Sequence, residues 1–146
     1  MPRDEMVRVR KKGDAYTLCY KKRLADIDGV NVCDERESKL ETVHAQYILT
    51  RGLTVDEMRK LCGVAVPEQL RLLGSMETFR TRFVWNEWTL ELDKNVYLGA
   101  TDYELECENG DASRLDGLKN RLYYDFGIRP EPSLPKIERF LNRLKQ

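Results

Sequence analysis

Apolar and polar positions alternate along several stretches of the chain, most sharply between Thr89 and Glu108. Successive side chains of a strand point to opposite faces. Leu90 and Leu92 therefore share one face, and Glu91 and Asp93 the other. In the following run Tyr103, Leu105 and Cys107 oppose Asp102, Glu104, Glu106 and Glu108. Basic side chains alternate in the same way elsewhere. Arg8, Arg10 and Lys12 oppose Val7 and Val9; Thr17, Cys19 and Lys21 oppose Tyr16, Leu18 and Tyr20; Thr78, Arg80 and Arg82 oppose Phe79 and Phe83. Each strand so predicted has one apolar face and one strongly charged face.

The pattern predicts a hairpin of Met6–Lys12 and Tyr16–Lys22, turned at Gly13 and Asp14, then a loop over 26–31 and a short strand over Val32–Glu37. Ser38 followed by Glu41 has capping-box spacing, and Leu40, Val43, Tyr47 and Ile48 recur at helical intervals up to Gly52. Thr54 with Glu57 repeats that signal for a shorter helix ending near Gly63. Strands resume at Met76–Trp85, Trp88–Lys94 and Thr101–Glu108, with a tight turn at Asn86 and Glu87. Leu115, Leu118, Leu122 and Phe126 mark a helix stopped by Gly127. Ile137, Phe140, Leu141 and Leu144 mark a last helix, with Ser133 as its cap and Pro135 in its first turn. The order strands, helices, strands, helices, without a repeat of solenoid period, predicts a single α+β domain over residues 1–146.

A row of acids on one sheet face repels itself unless it is solvated, neutralised by bases or bound to metal. If the sheet is open, the charged faces meet water and the chain is an ordinary α+β domain. If it closes, the apolar faces pack outward against helices, and the charges line an interior suited to a polyanion with a metal. Composition narrows the partners. Lys and Arg total 25 and Asp and Glu total 25, whereas nucleic-acid binding by counterion release usually goes with a basic excess. No apolar run approaches the roughly 20 residues of a membrane helix, and the start of the chain lacks a signal-peptide core; a soluble, cytoplasmic protein is expected. Cys19, Cys33, Cys62 and Cys107 are scattered without a CxxC and read as reduced thiols. The lone His44 reads as a helix-flank residue rather than a general base. Lys136 opposes the dipole of the last helix from its first turn; either its position is chance, or it closes over an anion at a barrel mouth.

The stretch LELDKNVYLGATDYELECE resembles the CYTH superfamily, the triphosphate tunnel metalloenzymes, and in particular its bacterial single-domain branch. VRVRKKGDAYTLCYKK is similar to the family's Arg-rich and Thr-Leu-Lys strands, and PKIERF to its closing Lys and helix. Order and spacing match across nearly the whole chain, and DYELE is the specific block. The resemblance implies an eight-stranded antiparallel β-barrel forming a tunnel, with helices packed outside. It further implies hydrolysis of inorganic or thiamine triphosphate, or cyclisation of ATP in one branch, with magnesium or manganese. Carried over residue by residue, Arg8, Arg10, Lys21, Arg80, Arg82 and Lys136 would bind the triphosphate. Lys94 would join Glu104 and Glu106 at the catalytic centre. Glu104 and Glu106 would hold the metal, helped by Asp93 and by Glu37 or Glu91.

The family's N-terminal Glu-x-Glu-x-Lys strand is not found here. Asp4 and Glu5 are adjacent and would point to opposite faces, so they do not replace the spaced pair. The first strand region is therefore expected to be missing, which would weaken metal binding and leave a barrel edge for a second copy to cover in a homodimer. Three functions stand as expectations: metal-dependent triphosphate hydrolysis, impaired by the missing strand; a module that binds a nucleotide or other polyanion without turnover; and an adenylate cyclase of the class IV type, for which the sequence offers no residue that reads adenine.

Overall fold

The computed structural model describes residues 4–27, 30–108 and 110–146. They form β1 (Glu5–Lys12), β2 (Ala15–Ile27), β3 (Val30–Leu40), α1 (Thr42–Arg51), α2 (Val55–Cys62), β4 (Met76–Trp85), β5 (Trp88–Tyr97), β6 (Ala100–Cys107), α3 (Ala112–Phe126) and α4 (Lys136–Leu144). The class is α+β, with two three-stranded antiparallel sheets, β1-β2-β3 and β4-β5-β6. Where the resemblance implies eight strands in one barrel, the described residues contain six strands in two sheets. They divide into two compact units, Met1–Leu73 and Gly74–Gln146. No helix among the described residues is long and apolar enough to cross a membrane.

In the first unit the hairpin turns at Gly13 and Asp14 as the alternation predicts, and Gly13 takes the left-handed conformation that a tight turn needs, φ 59°. Register sets Arg8, Cys19 and Glu37 side by side, and the next row is Arg10, Thr17 and Lys39. Leu18, Tyr20 and Leu40 leave the opposite face and pack with Ala45, Ile48, Leu53, Met58, Cys62 and Val66 from α1, α2 and the segment after them. Burial of that face fixes the register, because a one-residue slip would exchange the two faces.

Thr54 forms the predicted capping box: its hydroxyl accepts from Glu57 N at 3.2 Å, and Glu57 Oε2 accepts from Thr54 N at 2.9 Å. The Ser38–Glu41 box does not form. β3 runs on to Leu40, Ser38 pairs with Leu18 on β2, and Glu41 is the N-cap of α1 without a side-chain bond. Ladder hydrogen bonds and burial of Leu40 outweigh a cap worth about 1 kcal/mol. Of the residues predicted for the core face of α1, Ile48 is buried, whereas Val43 and Tyr47 are exposed and Ala45 is buried instead. The predicted loop over 26–31 also shrinks, since β2 reaches Ile27 and β3 begins at Val30; the remainder lies outside the described residues.

In the second unit β4 and β5 turn at Asn86 and Glu87 as predicted, and β5 continues past Lys94 to Tyr97. A second tight turn follows, with Leu98 and Gly99 both left-handed. α3 is capped by Asp111, whose carboxylate accepts from Arg114 N at 2.8 Å, and ends at Gly127. Leu118 and Leu122 pack on Trp88 and Leu90. Phe126, expected in that core, is 63% exposed and only its ring meets Trp85, at 5.6 Å, and Leu115 is not buried either. α4 departs furthest from expectation. Pro135 is its N-cap, no side chain caps it, and the hydroxyl of the predicted cap Ser133 donates to Glu104 at 3.1 Å. Of its four predicted core residues only Phe140 is buried, with its ring 6.2 Å from that of Tyr97.

The two boxes make a paired prediction. Thr54→Ala should lower unfolding stability in denaturant by about 1 kcal/mol, and Ser38→Ala should change it by only a few tenths.

Candidate functional site

Antiparallel register builds the candidate site across three strands. Arg82, Glu91 and Glu106 form one row, Arg80, Asp93 and Glu104 the next, and Thr78, Asn95 and Asp102 a third. This charged face is the covered one along most of β5. Asp93 and Asn95 are 0% exposed, whereas Leu92 on the opposite face is 40% exposed. Such an inversion requires that nearly every buried polar group find a partner, because an unpaired buried charge costs several kcal/mol.

The partners come from β4 and α4. Arg80 Nε and Nη2 each donate to Asp93 at 2.7 Å, and Nη2 also donates to Glu106 at 3.0 Å; Nη1 reaches Glu91. This is the bidentate fork for which guanidinium geometry is suited. From α4, Lys136 Nζ contacts Asp93, Glu106 at 3.3 Å and Glu104 at 3.5 Å. One helical turn on, Arg139 donates to Asp102 at 3.0 Å and Glu104 at 2.8 Å. Thr78 Oγ1 donates to Asn95 at 2.7 Å, and both Asn95 Nδ2, at 2.9 Å, and the Tyr97 hydroxyl, at 2.7 Å, donate to Asp102.

These contacts set the protonation states. Arg80 hydrogen bonds, assisted by Lys136, outweigh burial and hold the Asp93 carboxyl down at about 2. Burial works against the Lys136 ammonium, yet Asp93, Glu106 and Glu104 raise its pKa above the ordinary value. Asp102 is lowered despite burial by the donors Tyr97 and Asn95, and the Asp102 carboxylate in turn raises the Tyr97 hydroxyl. Asp93 and Asp102 are therefore ionised, and Arg80 and Lys136 charged, across the neutral range.

Asp93, Glu104 and Glu106 can each turn one oxygen into a cluster whose members all lie within 4.8 Å of one another. The donors are carboxylate oxygens, without a thiol or imidazole, which fits magnesium or manganese rather than a softer ion. Charge points the same way. Five carboxylates, Glu91, Asp93, Asp102, Glu104 and Glu106, face three cations, Arg80, Lys136 and Arg139, leaving an excess that a divalent ion would balance.

The structure brings together Asp93, Glu104, Glu106, Arg80 and Lys136. Lys136 differs from expectation in its neighbours, since its ammonium lies among carboxylates. Arg82 shares the face but pairs with Glu108. Lys94 is not brought to the cluster: strand parity turns it to the opposite face, between Phe79 and Tyr103 in the register. The remaining predicted residues belong to the first unit. There Arg10 Nη2 donates to Glu37 at 3.0 Å and Lys21 Nζ lies 2.6 Å from Glu35, both pairs half exposed. Arg8, Lys21, Glu35 and Glu37 help line a cleft of about 110 Å³, with Cys19 in its wall. Burial pushes the Cys19 thiol up, and all four cysteines are free thiols. His44 Nε2 meets Glu57 at 3.1 Å and ties α1 to α2, a helix-flank role. Sequence reasoning missed Arg139, Asn95 and Tyr97. Arg139 lies three residues after Lys136, spacing that places both on one helical face. Asn95 and Tyr97 continue the odd-numbered alternation of Glu91 and Asp93.

The CYTH domain profile matches residues 1–141. No curated protein matches the sequence. Among solved structures, a Bacillus halodurans protein described as a candidate adenylate cyclase is similar with a TM-score of 0.63 and 26% identity, over 93% of this chain and 72% of that one. A Hippeastrum protein, an adenylyl cyclase candidate described as having a dominant triphosphatase activity, is similar with a TM-score of 0.66 and 25% identity, over 94% and 73%.

A carboxyl whose pKa is depressed by folding stabilises the fold above its unfolded value and loses that contribution as pH falls through its folded value. For Asp93 the window runs from 3.8 to about 2. Asp93→Asn should therefore cost on the order of 2 kcal/mol near neutrality. The gap from wild type, measured by denaturant unfolding in chelator, should narrow as pH is lowered through that window.

Proposed function

The chain belongs to the CYTH domain family, and on that premise we propose that it hydrolyses a triphosphate with the help of a divalent cation. The observation that carries this reading is the cluster of Asp93, Glu104 and Glu106 on the charged face of a sheet, with Asp93 fully buried and the other two partly so. The dominant triphosphatase activity described for the similar Hippeastrum protein supports hydrolysis over cyclisation. The proposed substrate is inorganic triphosphate or thiamine triphosphate, with magnesium or manganese. The closed antiparallel tunnel that the family resemblance implies belongs to the same proposal.

Asp93, Glu104 and Glu106 would hold the ion, which when bound supplies neutralisation of the phosphoryl oxygens. Arg8, Arg10 and Lys21 would bind the polyphosphate. The pairs of Arg10 with Glu37 and Lys21 with Glu35 are half exposed, and such pairs are worth roughly 0–1 kcal/mol. Exchanging them for a polyanion therefore costs little, and an Arg-phosphate contact can be bidentate. A water oriented by the carboxylates attacks the terminal phosphorus in line. The bond to the bridging oxygen breaks, and basic side chains balance the charge gathering on the departing diphosphate. Binding without turnover is the second reading, favoured by Lys94 facing away from the acid cluster.

Phosphate release from inorganic triphosphate, with thiamine triphosphate and ATP alongside, should require magnesium or manganese and stop on chelation. Glu106→Gln should lower turnover by about 100-fold, while triphosphate still raises the melting temperature. Arg10→Ala should weaken triphosphate binding about tenfold. Release that persists in chelator would overturn the metal requirement. Thermal stabilisation by triphosphate without release would select the binding reading.

A further inference from the structure

We propose that Lys136 is an internal competitor for the metal position, so that loading of the site by a divalent cation detaches the first turn of α4 from the acid face. The inference rests on the metal reading above and adds what the ion must displace.

The Lys136 ammonium contacts Asp93, Glu104 and Glu106, the same three residues whose carboxylates converge within 4.8 Å. Magnesium holds carboxylate oxygens at about 2.0–2.1 Å. An ion shared by the three carboxylates would therefore stand where the ammonium stands, and the two cannot coexist. The ion is the stronger neutraliser, and Lys136 has a flexible four-carbon stem on which to leave.

The first turn of α4 is held to the acid face through Lys136, while Arg139 one turn on holds Asp102 and Glu104. The helix has nine residues, its N-cap is Pro135, and no side chain caps its first turn. A cation in that turn opposes the helix dipole, so Lys136 stabilises α4 only through the carboxylates it reaches. Arg139 Nε is buried without a hydrogen-bond partner, a cost that offsets part of what the Arg139 pairs with Asp102 and Glu104 contribute to docking. Phe140 against Tyr97 and the Arg143 Nε bond to the Leu98 carbonyl at 3.5 Å lie nearer the far end, where they can act as a pivot. The displaced ammonium becomes available to an incoming anion. Metal and triphosphate then favour each other's binding, since each gives Lys136 or the carboxylates the partner that the other removed.

The test is a calorimetric titration of the full chain with manganese at moderate salt, for wild type and Lys136→Gln. It is joined by amide hydrogen exchange over residues 138–142 of wild type with and without manganese. The expected result is manganese binding about tenfold tighter in Lys136→Gln and several-fold faster exchange in the α4 amides of wild type once the ion is bound. Equal or weaker binding by Lys136→Gln, or exchange in α4 that stays constant or slows with manganese bound, would overturn the competition and leave the metal reading intact. Absence of manganese binding in both proteins would overturn both. Should Lys136→Gln fail to fold, the exchange measurement on wild type decides alone.

Discussion

The second unit depends on the ionic lattice around Asp93. This carboxylate is fully buried on a strand where its neighbours on the same face, Glu91 and Asn95, are also buried, and a sheet with that face inward would not form if the charges were left uncompensated. Arg80 removes most of the penalty by donating two parallel hydrogen bonds from the adjacent strand, where register alone brings it opposite Asp93. Lys136 and Arg139 complete the compensation from α4. The lattice therefore fixes strand register, docks the last helix and concentrates negative charge at one place. The structural need for cations and the proposed metal position fall on the same oxygens.

The two units use the same alternation with different consequences. In the first, Arg10–Glu37 and Lys21–Glu35 are half exposed, and the apolar face beneath them carries the stability through Leu18, Ile48 and Met58. The charges there are held weakly and can change partners. In the second, the polar face is buried and the apolar side is covered mainly near Trp88 and Leu90, by Leu118 and Leu122. Charges in the second unit are committed to one another, and a ligand must compete for them. Weakly held bases suit anion capture, and a tightly held acid cluster suits an ion of high charge density.

Much of this was legible in the residues, for physical reasons that can be named. Strand alternation has a period of two that a single sequence displays directly, so the hairpins, the turns at Gly13 and Asn86 and the grouping of Glu91, Asp93, Glu104 and Glu106 were all readable. So was the Thr54 box, because its two partners are three residues apart. The Ser38 box failed because an equally local signal competed with long-range pairing to β2, which spacing cannot weigh. α4 failed for a related reason. Its apolar residues Ile137, Leu141 and Leu144 suggested the buried side, yet the sheet that receives the helix presents carboxylates, so Lys136, Arg139 and Phe140 turn inward. The face a helix buries is chosen by what it packs against, and here that surface is charged.

Lys94 shows the opposite limit. The family resemblance places it with the acids in one centre, although strand alternation sets it on the face opposite its neighbour Asp93. In the structure it lies beside Phe79 and Tyr103, across the sheet from Asp93. A cation that acts at the acid face must come from a position of the right parity or from another element. Arg80 meets the first condition and Lys136 the second. Of the two, Arg80 is bound bidentately to a fully buried carboxylate, and moving it would strand that charge. Lys136 contacts the same carboxylate from a short helix without a side-chain cap, and its departure leaves Asp93 still paired with Arg80. The asymmetry makes Lys136 the exchangeable cation of the site and Arg80 the permanent one.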